Sequence, residues 1–296
     1  MAVQGIVTST DTVASDNALI NGDMVIWARG TSITAAGVVV QNDDDTYICD
    51  RWILLSDGND IVDVTRSSTS YVGGSHYSCQ LEVETIDKKF GIVQIIEKVN
   101  CHHLIGNTVS VTFRAKVAGS GKLDNVKAAV VSWAGTADSP TSDLVSAWAV
   151  EGTNPTLATN WTYENTPANL SVGTDYAEYK LEGVSVDTSN TNNVAVFIWS
   201  DVTDTDLGDD LFITDVQITP TEEATPFQRK PISQTAEDCS RYYETSMTWG
   251  VLGQYQGQGY PVVGVGGTTF TATTANLMGK PFRCRKRTTP TVTIYH

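Results

Sequence analysis

At 296 residues, 41% apolar and only 18% charged, the chain can bury one large core, and its use of Thr, Val, Gly, Asp, Asn and Ser favours strands and tight turns over helices. Nineteen Lys and Arg against 34 Asp and Glu give a formal charge of −15, which excludes a general nucleic-acid binder and a binder of anionic membranes, because attraction to phosphate needs surplus cations. No stretch approaches the roughly 20 apolar residues of a membrane span, and residues 1–22 lack the basic start and apolar centre of a signal peptide, so the chain is expected to stay in the cytoplasm that makes it until something else releases it.

Residues 1–17 are small and polar, without periodicity, and are predicted to form an N-terminal arm ordered by a neighbour. From Ala18 onward short apolar runs alternate with turn residues, and nine strands are predicted over 49–55, 61–65, 77–84, 92–99, 108–117, 126–133, 176–186, 194–199 and 211–219. The alternation is plainest from Val109 to Val117, where apolar side chains take the odd positions and polar ones the even, as a half-buried strand requires. Nine such strands over 18–220 predict an antiparallel two-sheet sandwich. The polar stretch 135–169, carrying Trp148, Trp161 and Tyr163, is too long for a simple hairpin and is expected to add a hairpin or the wall of a groove. Acidic runs such as Asp43-Asp44-Asp45 and 201–210 read as polar loops.

Beyond Pro220, within a linker at 221–245, Ile232, Ala236, Cys239 and Tyr243 share one face at helical spacing, and Thr235 with Asp238 resembles a capping box. So short a helix needs cover for that face, either from the sandwich or from equivalent helices of sister chains. Residues 246–296, punctuated by Gly253, Gly257, Gly259, Gly264, Gly266 and Gly267, are predicted to form a small Gly-rich β element. Its last run, 290–295, reads as a strand whose partner should follow, so either the chain is truncated or the strand pairs elsewhere. The five cysteines, Cys49, Cys79, Cys101, Cys239 and Cys284, are odd in number and lack CxxC spacing, which favours free thiols over disulfides or zinc. Cys101-His102-His103 is the one metal-like cluster, and a loop between strands is the simpler account of it.

Six segments in order resemble those of a known family. These are Leu19-Ile20-Asn21-Gly22-Asp23 with Trp27-Ala28-Arg29-Gly30, then Asp50-Arg51-Trp52, the strands at 95–99, 104–116 and 211–218, and finally Ala224-Thr225-Pro226-Phe227 followed by Cys239-Ser240-Arg241-Tyr242-Tyr243. Their order and spacing are similar to those of bacteriophage tail-fibre and virion proteins with a carbohydrate-binding-module-like jelly roll. The resemblance implies an all-β chain, an antiparallel jelly-roll β-sandwich followed by a short helix and a small Gly-rich β element. It also implies a virion location after assembly in the host cytoplasm, with other virion proteins and host cell-surface polysaccharide as partners. A tail fibre or receptor-binding component is the function it implies. A purely architectural decoration or collar subunit and a polysaccharide depolymerase are the alternatives. Related jelly rolls hold a structural calcium near the first and last strands, where Asp23 and Asp215 stand here; no other cofactor is expected.

Sugar faces stack on aromatic rings, which makes Trp133, Trp148, Trp161 and Tyr163 candidate carbohydrate-binding residues. Trp133 ends an apolar strand, a position that also suits the core, and Trp27 and Trp52 sit in apolar alternation and read as core. No GxSxG elbow or other hydrolase signature stands out among the scattered acids, so no catalytic residue is assigned and the chain is read as a non-enzyme. A homotrimer is expected, with Ile232, Ala236, Cys239 and Tyr243 at its interface, because weak sugar sites gain avidity from multiplicity.

Overall fold

The computed structural model describes residues 17–37, 40–68, 76–245 and 282–291. The predicted arm, save Asn17, and positions 246–281 and 292–296 of the predicted Gly-rich element lie outside the described residues.

The strands are β1 (Ser32–Ile33), β2 (Thr46–Tyr47), β3 (Ile53–Ser56), β4 (Val62–Ser67), β5 (Ser78–Val83), β6 (Phe90–Ile96), β7 (Thr108–Ala118), β8 (Val126–Trp133), β9 (Val145–Ala147), β10 (Thr156–Leu157), β11 (Trp161–Tyr163), β12 (Ala177–Ser185), β13 (Asn193–Ser200) and β14 (Asp210–Thr219). Two helices, α1 (Lys98–Cys101) and α2 (Ile232–Ser240), complete the described elements. One six-stranded sheet runs β1-β4-β5-β14-β7-β12 and the other β11-β8-β13-β6-β3-β2, with β9 and β10 as a separate pair.

Eight of these strands pair as a nested hairpin, β5 with β14, β6 with β13, β7 with β12 and β8 with β11, every pair antiparallel. The sheets close where β14 also pairs β7 and β13 also pairs β8. A long hairpin rolled so that its successive pairs fall on alternate sheets is a jelly roll. Each of the nine predicted strands overlaps one of these elements, and Val109, Val111, Phe113, Ala115 and Val117 of β7 all point into the core. Trp27 and Trp52 are buried in the same core. Gly91 in β6 is there for space, because a Cβ at that position would come 2.5 Å from the Cβ of Trp199 on β13.

Local details depart from expectation. The strand predicted over 92–99 stops at Ile96, and α1 follows, which turns the Cys101 thiol inward while His102 and His103 stay exposed. Burial pushes that thiol up to about 11, which suits a packed side chain rather than a metal ligand. Helix α2 begins a turn earlier than the Thr235/Asp238 pairing implied: Pro231 is its N-cap, and the Thr235 hydroxyl instead donates back to the Pro231 carbonyl at 3.5 Å. Proline suits a helix start because its missing N–H has no intrahelical partner there. All five cysteines are free thiols.

Candidate functional site

The aromatic residues predicted to line a groove are instead gathered over the outer face of the second sheet. Segment 135–169 lies down on that face and forms a second apolar cluster with Ile53, Leu55, Val93, Ala129, Val131, Phe197 and Trp199. Trp133 and Trp161, 7% and 6% exposed, pack against each other at 5.3 Å between ring centres. Trp148 lies against Phe197 and Tyr163 against Trp199, at 6.2 and 6.3 Å. The groove wall is thus a cover, and Trp133 and Trp161 have no open ring face to offer a sugar. A flat sheet face carrying Val93, Phe197 and Trp199 must be covered, and the excursion supplies the lid.

Asp23 and Asp215 do come together, but the group opposite them is a guanidinium. Arg229 Nη2 lies 3.2 Å from both carboxylate oxygens of Asp215. Burial holds the Asp23 carboxyl above its usual range, with Arg229 pulling it back and Asp215 pushing it up. This arrangement does not fit a calcium ion, since a cation already faces the carboxylates; among the described residues no three His, Cys, Asp or Glu side chains converge on a metal position.

The family-like words meet at one end of the sandwich. Asn21 Nδ2 donates to the carbonyls of Ile26 and Asp50, and Trp52 Nε1 to the Asn21 carbonyl. Arg51 stacks on Tyr242 with its guanidinium carbon 3.6 Å from the ring centre, and Arg29 stacks on Tyr243 at 3.9 Å. Arg241 makes a two-point pair with Glu97, Nη2 to Oε1 at 2.7 Å and Nε to Oε2 at 3.0 Å, and the Tyr242 hydroxyl donates to Oε2 at 2.9 Å. Burial opposes ionisation of Glu97, yet these donors outweigh it and hold the carboxyl below its usual range. The cover for α2 is therefore the sandwich. Ala236, Cys239 and Tyr243, predicted to face sister chains, line a small cavity against Ile26, Ala28 and Asp50, and only Ile232, 59% exposed, stands away from the sandwich. Residues 282–291 form no strand and lie along α2, with Lys286 paired to Glu244 at 2.6 Å and the Arg287 N–H bonded to the Arg241 carbonyl.

A face that the sequence reading did not single out carries the chemistry of a sugar platform. On the outer side of the first sheet, register places Thr65, Gln80, Phe212 and Lys116 in one row across β4, β5, β14 and β7. Tyr176 closes the row: its ring packs edge-on against Phe212 at 6.4 Å and its hydroxyl reaches Ser78 Oγ at 2.9 Å. Burial pushes that phenol up to about 12. Lys116 Nζ lies 4.6 Å from the Phe212 ring centre and 5.4 Å from that of Tyr176. Polar groups are held ready beside the rings. Gln80 Nε2 donates to Asp210 Oδ1 at 2.8 Å and Thr65 Oγ1 to Gln80 Oε1 at 3.1 Å. The half-buried Tyr176 ring, backed by the buried Phe212 and next to preorganised amide, carboxylate and cationic groups, can stack on a pyranose whose hydroxyls those groups bond.

Fold and face together define a jelly-roll β-sandwich with one sheet face covered by its own chain and the other open, aromatic and polar. No family model matches the chain, and no curated protein matches it. Among solved structures it is similar to a putative sugar-binding protein from Bacteroides thetaiotaomicron, with 12% identity over 70% of this chain and 100% of that one and a TM-score of 0.41. The carbohydrate-binding module TmCBM61, in complex with β-1,4-galactotriose, matches with 16% identity over 70% and 99% of the two chains and a TM-score of 0.36. The enzymatically active domain of tailspike protein 4 of bacteriophage CBA120 matches with 14% identity and a TM-score of 0.38, over 69% of this chain but 21% of that one. The assignment of the fold rests on the nested strand order described above.

Proposed function

We propose that the chain is a non-catalytic glycan-binding component of a phage particle, a tail fibre or receptor-binding part, that offers the open face of its first sheet to a host surface polysaccharide. The observation that carries glycan binding is the row from Thr65 to Tyr176, where a half-buried tyrosine and a phenylalanine floor adjoin Gln80, Asp210 and Lys116. The virion setting is supported by the family-like words, which meet in one structural node at the end of the sandwich. A homotrimer remains part of this proposal. With the inner side of α2 taken by the sandwich, Ile232 is the exposed large apolar residue of that helix available to a sister chain.

A glycan array probed with the intact chain is expected to give binding that Tyr176→Ala weakens about tenfold, the loss of one stacking contact worth ~1.4 kcal/mol, and that Tyr176→Phe keeps. Binding untouched by Tyr176→Ala but lost in Trp148→Ala would move the site to segment 135–169. No binding to any glycan, together with a mass in solution that is still trimeric, would favour the architectural alternative. Shortening of a host polysaccharide on incubation would show a depolymerase.

A further inference from the structure

Two cations on the open face have no counter-charge in the chain. Arg114 and Lys116 take alternate positions on β7, opposite in parity to the core-facing Ala115 and Val117, so both side chains leave the outer side of the first sheet, roughly 7 Å apart along the strand. Both are half-buried. Among the described residues no carboxylate lies within 4.0 Å of either, and neither charged group donates a hydrogen bond. The acids that register brings alongside are engaged elsewhere. Glu178 on β12 stands directly opposite Arg114 but pairs with Lys180 at 3.2 Å, and Asp210 on β14 accepts Gln80 Nε2 at 2.8 Å. Lys116 is held over the rings of Phe212 and Tyr176. In a chain with 34 acids against 19 cations, two adjacent half-buried cations that meet no acid call for an anion from outside, because a charge withdrawn from water is costly until it is paired.

We propose that Arg114 and Lys116 bind the carboxylate of an acidic sugar whose ring stacks on Tyr176, so that the ligand of the open face is a polysaccharide of the uronic-acid class. This rests on the reading of that face as the glycan site and narrows its ligand. Arg114 offers a planar fork that matches the two oxygens of a carboxylate, and Lys116 adds a point charge beside the stacking ring. The neighbouring row sets the direction. Asp63, Glu82 and Asp210 line up across β4, β5 and β14 on the other side of the row that holds Gln80 and Phe212. They accept hydroxyls and repel a carboxylate, which leaves the Arg114 side for the charge. The overall charge of −15 does not forbid this, since charges beyond about 8 Å are largely screened at physiological ionic strength and the sugar responds chiefly to its neighbours.

The test is an array of polygalacturonate, polyglucuronate, hyaluronate and alginate, each beside its carboxyl-reduced form, with neutral galactan and xylan, probed with the intact chain. Carboxyl reduction turns each uronate into the neutral sugar and keeps the linkages. The expected result is binding to at least one acidic glycan that falls about tenfold or more on its reduced form. Arg114→Gln should weaken the acidic glycan by a similar factor and leave the reduced form within about twofold. It should also melt with the parent, because the Arg114 guanidinium bonds to nothing in the described fold. Equal binding to acidic and reduced forms, binding confined to neutral glycans, or an Arg114→Gln variant that binds the acidic glycan like the parent overturns this proposal and leaves the glycan-binding reading standing. Binding to no glycan overturns both. Acidic binding unchanged by Tyr176→Ala would show attraction to charge without a stacked sugar, and overturns the proposal too.

Discussion

Replacing Lys127 by methionine should destabilise the protein by about 3–5 kcal/mol, the usual cost of removing one partner of a buried ion pair. Lys127 and Asp201 have side chains 4% and 1% exposed, and Nζ lies 2.8 Å from Oδ2. The pair sits beneath segment 135–169: Oδ2 also accepts the Gly152 N–H at 3.1 Å, while Oδ1 has no partner among the described atoms. Methionine keeps the volume of the lysine stem and leaves a carboxylate enclosed without its cation. Equilibrium denaturation in urea checks the size of the loss. Pairing Lys127→Met with Asp201→Asn should recover most of it, because the charge left behind, rather than the missing attraction, carries the cost. A loss below about 1 kcal/mol in the single variant would mean that water reaches Asp201 and that the cover over the second sheet is looser than its packing implies.

Asn21→Ala is expected to cost about 3 kcal/mol, an amount set by four hydrogen bonds and a backbone angle. Besides donating to Ile26 and Asp50, Asn21 accepts the N–H groups of Val25 and Ile26 at Oδ1, both at 2.9 Å, so alanine leaves backbone groups of a 3% exposed site without partners. Its φ of 60° adds to the loss, since the left-handed region tolerates asparagine better than alanine. The neighbouring Gly22 cannot yield space, because a Cβ there would lie 2.1 Å from the Val216 carbonyl oxygen. The loop that Asn21 holds carries Asp50 and Arg51, and Arg51 stacks under Tyr242, so the damage should spread to α2. Hydrogen exchange at Cys239 to Tyr243 should accelerate in the variant more than exchange in β7. Equal acceleration in both would show global destabilisation without a local link between this loop and the helix.

What the sequence determined by itself is what depends on near neighbours in the chain. Alternation from Val109 to Val117 sufficed to define β7 and its inward face, apolar runs located the other eight strands, and apolar surroundings placed Trp27 and Trp52 in the core. Even α2 was visible from its spacing, although Pro231 rather than Thr235 starts it. Only the tertiary structure decided which surfaces are left open. Trp161 looks like a surface aromatic in a polar stretch and Trp133 ends an apolar strand, but 135–169 folds back over the second sheet and buries both against each other, a contact between segments that periodicity does not encode. The open face unites Thr65, Gln80, Lys116, Tyr176 and Phe212, which no spacing in the sequence connects, because strands of a jelly roll become neighbours through nested pairing of distant segments. Asn42 is the same case: an ordinary loop asparagine in the sequence, it meets Asp60 and Asp63 only in the folded chain, its Nδ2 donating to a carboxylate oxygen of each at 3.0 Å.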